Sequence, residues 1–218
     1  MAGSATINCS HSSSYIINNQ VYILGRFDSK EMNELIGELS NLILSMQQKP
    51  IYQASTKIVS PYDIDDPERP VLDIFINSHG GEISVLNSLS TLLNIAKMRG
   101  AIIRTTVLSN ALSCGSALAI QGTPGYRIMG HDSQHMIHYG SRLIQITKED
   151  ELPIKTQQIK DFSDQFISKY KTYTSVPEEK LKKFLNCETG FINSNLCLRW
   201  KICDWIIGEN GILTGRKR

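Results

Sequence analysis

Three short apolar runs separated by one-face helical stretches constrain this chain more than any other feature. The runs are "QVYILG" (Gln20 to Gly25), "VLDIFIN" (Val71 to Asn77) and "AIIRTTVL" (Ala101 to Leu108). Their length and β-branched content predict strands. Between the first two, Met32, Leu35, Ile36, Leu39, Leu42, Ile43 and Met46 recur at helical spacing. Asp28 and Glu31 precede them at the spacing of a capping box. Between the second and third, Val85, Leu86, Leu89, Leu92, Leu93 and Ala96 share one helix face. The order is strand, helix, strand, helix, strand, helix, with strands apolar enough to be covered on both faces. It predicts an α/β layer fold with a largely parallel sheet. Sites in such folds form at the carboxyl ends of strands, here "NSHGG" and "NALSCGSA".

A chain of 218 residues suffices for one well-buried domain, and no composition break demands two. Lys and Arg number 23 against 21 Asp and Glu, so a net charge of +2 creates no field for nucleic acid or anionic lipid, and neither is expected as a partner. Arg216-Lys217-Arg218, in a C-terminal tail spanning 208–218, form a short basic cluster that reads as solvated. Cysteines 9, 114, 187, 197 and 203 are odd in number and contain no C-x-x-C pair. That pattern argues against a disulfide framework or a zinc site and for a reducing compartment. The polar N-terminal segment 1–13 lacks a basic flank followed by an apolar core, so it does not read as a secretory signal. No run approaches the roughly 18 apolar residues of a membrane span. A soluble intracellular protein is expected.

From Gln47 to Pro70 the text carries four prolines and little periodicity, which reads as a long loop or insertion. Farther on, "YRIM" and "HMIH" read as two short strands. A long amphipathic helix follows, with Ile159, Phe162, Phe166, Tyr170 and Tyr173 on one side. It comes after most of the sheet sequence and so reads as a projecting or interface element.

Ser113 opens the helix after the third strand. Its hydroxyl there either caps the helix or acts as a nucleophile beside unpaired N–H groups able to stabilise an oxyanion. Ala111, Gly115, Ser116 and Ala117 are small enough to let a substrate backbone approach. Gly80-Gly81 reads either as an ordinary turn or as the source of a backbone donor made accessible by positive φ. His138, at the end of "MIH", is the best-situated base for a serine nucleophile. His135 should face the other way. His11 lies in the polar start, His79 in the glycine turn and His131 in a loop. A metal reading of His131, Asp132 and His135 lacks a strong third ligand nearby, so no metal is assigned.

In combination these segments resemble a known family. "YIINNQVYILGRFDSKEMNELI", "IFINSHGGEIS", "SNALSCGSALA", "GYRIMGHDSQHMIH" and "GFINSNLCLRWKICDWI" stand in the order and approximate spacing of the ClpP family, the proteolytic subunits of ATP-dependent Clp proteases. The resemblance runs from about Ser14 to Ile207. Its most specific parts are similar to that family's "INSPGG", "AASMGA" and "MIHQP" segments. It implies a ClpP/crotonase-like layered fold over 14–207, with a projecting handle of strand and long helix at about 141–174. It implies a serine endopeptidase for unfolded polypeptides, with Ser113 as nucleophile, His138 as general base, and the N–H groups of Gly81 and Cys114 as oxyanion hole. Neither metal nor cofactor is implied. The assembly implied is a homo-oligomer of paired heptameric rings, or a ring mixed with a paralogue, fed by a hexameric Clp ATPase in the cytoplasm or in an organelle stroma or matrix.

Three departures from that family's pattern bear on function. "CETGF" puts Thr189 at the position of the triad aspartate, and a threonine carries no charge. Its hydroxyl could still accept the imidazole N–H, and Glu188 or the more distant Asn186 are substitutes if the local backbone differs. His79 stands where the family has proline, either as an exposed residue or against the substrate groove. The 47–70 stretch is longer than the family's connection and the N-terminus shorter, which leaves the choice of ATPase open. Rival readings are therefore a catalytically impaired ring subunit with a structural or regulatory role, and a ClpP-like protease used in viral capsid maturation.

Overall fold

The strands predicted from the three apolar runs lie side by side, in parallel, in the central sheet of the computed structural model, which describes residues 14–53, 60–138, 151–185 and 190–215. The N-terminal segment 1–13, the first part of the expected handle (141–150) and the basic cluster at 216–218 lie outside the described residues, as do the side chains of Glu31 and Ile159. Strand β1 (Tyr15–Ile17) runs antiparallel to β2 (Gln20–Phe27), and β2 pairs in parallel with β3 (Val71–Gly81), which pairs in parallel with β4 (Ile102–Leu112). The sheet continues through β5 (Arg127–Gly130). Beyond it come β8 (Trp205–Ile207), also parallel, and the antiparallel edge β9 (Leu213–Gly215). The short elements β1, β8 and β9 have no clear signature in the sequence.

Strand β4 has two sets of neighbours. Thr105 to Val107 pair with β5, whereas Asn110 to Leu112 pair in parallel with β6 (Gln134–Ile137). β6 in turn pairs antiparallel with β7 (Gly190–Asn193). The end of β4 thus keeps β3 on one side, through Ala111 opposite Ser78, and exchanges β5 for the β6–β7 branch of the same sheet on the other, and the candidate site sits at that branch.

Both β3 and β4 outrun the predicted ends. β3 carries on through His79-Gly80-Gly81, and β4 through Ser109 to Leu112. Side chains satisfy the backbone where the ladder slips. The Ser78 hydroxyl donates to Gly25 O at 2.7 Å and accepts from Gly80 N–H at 3.0 Å, while Asn77 Oδ1 accepts from Asn110 N–H at 3.2 Å. Polar residues and glycines that read as turn material are here bulge chemistry inside a strand.

Helix α1 (Ser29–Ser45) starts where expected, with Asp28 as N-cap accepting from Lys30 N–H at 2.9 Å. It lies beside α2 (Ile83–Met98). Met32, Leu35, Leu39, Ile43, Leu86, Leu89 and Leu93 are almost fully buried. Each such side chain contributes about 1.5–3 kcal/mol relative to exposure. Short α3 (Cys114–Ala119) follows β4, and α4 (Glu151–Tyr173) is the long amphipathic helix. The carboxyl half of α4 closes its own chain's core, since Phe166 and Tyr170 are buried. α5 (Glu178–Leu185) and α6 (Ser194–Arg199) flank β7 in sequence. A buried ion pair ties this region together. Arg127 meets Asp204 through two 2.8 Å bonds and donates from Nη1 to the Tyr173 carbonyl at 2.6 Å.

The described residues of the 47–70 stretch, 47–53 and 60–70, have no regular element and are docked at the amino ends of β3 and β4. Tyr52 and Tyr126 hydroxyls are 2.8 Å apart. Arg69 donates to Pro50 O and Gly100 O, each at 2.8 Å, and Arg104 donates to Pro61 O at 3.1 Å. Among the described residues no helix is long and apolar enough to cross a membrane.

Candidate active site

Leu112 ends β4 and Cys114 begins α3, so Ser113 alone makes the turn between them. Its backbone takes φ 53° and ψ −120°, a conformation that a side-chain-bearing residue adopts only under constraint from its surroundings. Two backbone bonds supply that constraint. Ser113 N–H donates to Met136 O at 2.9 Å, and Ser113 O accepts from Ala117 N–H at 3.1 Å. Although Ser113 occupies the N-cap position of α3, its side chain makes no capping bond. Ser113 thus stands on a sharp strand-to-helix turn with its hydroxyl not engaged in capping the helix.

Gly80 explains how the turn fits. At φ +80° it passes so close beneath Ser113 that a Cβ there would lie 2.6 Å from Leu112 O and 2.8 Å from both Cys114 N and Ser113 Cβ. Gly81, at φ +149°, crosses Phe27 of β2 just as tightly. The sequence singles out this glycine pair for its backbone freedom. The steric demand comes from Leu112 to Cys114 for Gly80 and from Phe27 for Gly81, far off in the chain, and cannot be seen in the local text.

Ser113, Cys114 and Gly81 line one cleft of about 500 Å³, together with Arg26, Glu82, Asn87 and, from α4, Phe162. The Cys114 thiol donates to Gly81 O at 3.2 Å, which ties the two candidate oxyanion residues to each other, and burial pushes that thiol's pKa up. Neither Arg26 nor Phe162 was expected at the site. His79 is exposed and stands outside the lining residues.

His138 follows β6 directly and is half-buried, and desolvation lowers its pKa below the ordinary 6.5. The link between β4 and β6 brings it near the serine turn, because Met136, whose carbonyl anchors Ser113, is two residues before it. His138 is not among the cleft-lining residues. Gly190 pairs with Ile137, the residue before His138. Thr189, Glu188 and Asn186 lie outside the described residues.

His135 is buried, as is Ile137 two residues on, whereas Met136 between them is only partly buried. The grouping of His131, Asp132 and His135 considered from sequence is not assembled. His135 is bonded to Ser116 instead, and it is Glu209 that joins the exposed His131 and Asp132, with ligand atoms within 4.8 Å of one another.

The family follows from comparison with known proteins. The family model for Clp protease matches residues 26–210, and the chain belongs to that family. It is 26% identical over 159 residues to the ATP-dependent Clp protease proteolytic subunit of Deinococcus radiodurans, a match covering 72% of this chain and 76% of that protein.

Proposed function

We propose that this chain is a serine endopeptidase of unfolded polypeptides, with Ser113 as nucleophile and His138 as general base. The observation that carries this reading is the Ser113 turn, which holds the residue's backbone in a constrained conformation, with its side chain free of the capping role, in the lining of a cleft. In the reaction His138 takes the hydroxyl proton as Ser113 Oγ attacks the peptide carbonyl, then returns it to the leaving amine. The N–H groups of Gly81 and Cys114 receive the developing oxyanion. The first N–H groups of a helix lack intrahelical acceptors, which suits Cys114 to this task.

The partners proposed are further copies of the chain, in paired heptameric rings or with a paralogue, and a hexameric ATPase that feeds substrate. The printed name of the Deinococcus relative, an ATP-dependent proteolytic subunit, supports this. A fluorophosphonate probe tests the chemistry on the assembled particle. Labelling that disappears in Ser113→Ala supports it, and an assembled particle that takes no label overturns it. The second reading, an inactive ring subunit, is favoured by Thr189, where the family pattern puts an aspartate. Capsid maturation without an ATPase has no observation in its favour here.

A further inference from the structure

Three polar side chains meet in the core behind the serine turn. Ser116 Oγ lies 2.8 Å from His135 Nδ1 and is also hydrogen-bonded to Tyr170 OH. They come from α3, β6 and α4, and at 0%, 1% and 0% exposure they are sealed from solvent. A Ser–His pair so enclosed offers no path to a substrate, so it is not a second nucleophile.

Burying two hydroxyls and an imidazole where apolar side chains would pack costs free energy unless the groups satisfy one another, and such a set holds only one arrangement of its elements. Burial, together with the nearby positive charge of Arg127, keeps His135 neutral. Burial likewise keeps Tyr170 protonated, with Cys197 and Cys114 also facing it. Each hydroxyl can then donate once and accept once. Two patterns satisfy the set: Tyr170 donates to Ser116 and Ser116 to a bare His135 Nδ1, or a protonated Nδ1 donates to Ser116 and Ser116 to Tyr170.

The numbering supplies the link to chemistry. Ser113 stands three residues before Ser116, and His138 three residues after His135. β6 has only four residues, with Ala111 opposite His135 and Leu112 opposite Met136. A slip of one residue would turn His138 to the opposite face and break the bond to Ser116.

We propose that Ser116, His135 and Tyr170 are positioning residues that pin the register of β6 against α3 and thereby align the His138 imidazole with the Ser113 hydroxyl. The inference rests on the peptidase reading. In that reading Thr189 brings no carboxylate to orient the imidazole, so orientation falls to the strand that carries it.

Tyr170→Phe and Ser116→Ala, each in the assembled full chain, test it with two readouts. The first is the rate of fluorophosphonate labelling at Ser113, expected to fall about 10- to 100-fold, the usual effect of misplacing a reacting pair by around an ångström. The second is the titration midpoint of His138, followed by NMR on 15N-histidine-labelled protein and expected to move. A purely structural role would lower the melting temperature and leave both unchanged, which would overturn the inference. Tyr170→Phe removes one oxygen atom and carries the test should Ser116→Ala not assemble. If the unsubstituted chain takes no label, the peptidase reading fails on its own, and an unmoved His138 midpoint then decides against the positioning role.

Discussion

The backbone N–H of Ser113 donates to the carbonyl of Met136 at 2.9 Å, and His138 follows Met136 by two residues. The proposed nucleophile and base are therefore fastened to one another through main chain. Their pH response follows from the environment of the base. The neutral imidazole accepts the proton, and desolvation depresses its pKa. Activity of the assembled protein against a short chromogenic peptide should fall on acidification with a midpoint below 6.5, and His138→Ala should abolish it. A midpoint at or above 6.5 would contradict the assigned base.

Gly80 and Gly37 should respond in opposite ways to alanine. Gly80→Ala introduces a Cβ 2.8 Å from Ser113 Cβ at a positive φ, so it both strains the turn and displaces the hydroxyl. The conformational term alone costs about 1–3 kcal/mol, and labelling at Ser113 should drop by about a hundredfold or more. Gly37 lies within α1 with nothing within 4 Å of its added Cβ, and Gly37→Ala should stabilise by about 0.5–1 kcal/mol. Urea unfolding curves measure both.

His135 predicts a particular acid sensitivity. Burial, reinforced by Arg127, lowers its pKa from 6.5 to about 3, while Ser116 and Tyr170 face its ring. Between those two values the unfolded chain binds a proton that the folded chain refuses. Stability is therefore lost as pH falls below 6.5 and levels off near 3. Replacing His135 with a non-titrating residue should flatten this part of the stability-against-pH curve, as measured by denaturant titration at several pH values.

Asp204→Ala would strand the Arg127 guanidinium, which is 5% exposed in its ion pair. Removing one partner of a buried pair costs about 3–5 kcal/mol. The same change frees a carbonyl-capping arginine at the end of α4, so hydrogen exchange near Tyr173 should quicken along with the loss of global stability.

Thr189→Asp tests the threonine at the acid position of the family pattern. A carboxylate beside the imidazole would fix its tautomer and stabilise its charged form, and loss of that group elsewhere costs about 10⁴ in turnover. A gain of at least about tenfold in kcat is expected, with KM little changed. An equal or lower kcat would mean that a carboxylate at this position does not stabilise the imidazolium.

The sequence and the structure agree where the signal is periodic and part where it depends on distant contacts. The apolar runs and their helices were legible because each strand's burial is written in its own residues, and Asp28 could be read as a cap from one spacing. The extensions of β3 and β4 could not, since Ser78 and Asn77 reveal themselves as bulge partners only when Gly25 and Asn110 are alongside. Ser113 stood out through its small neighbours. Gly80's place beneath it did not, because that is a contact between separate strands. Ser116, His135 and Tyr170 each have an ordinary reading alone. Thr189 became conspicuous only through the family resemblance.

The described residues of the 47–70 stretch and the serine turn occupy opposite ends of β4. Arg104, which holds Pro61, is nine residues from Ser113, about 30 Å along an extended strand. Anything that grips the Pro61 and Tyr62 region therefore meets a different pole of the molecule from the one that carries Ser113. Substitutions at the Pro61 end and at the Ser113 end can therefore be made without one touching the other.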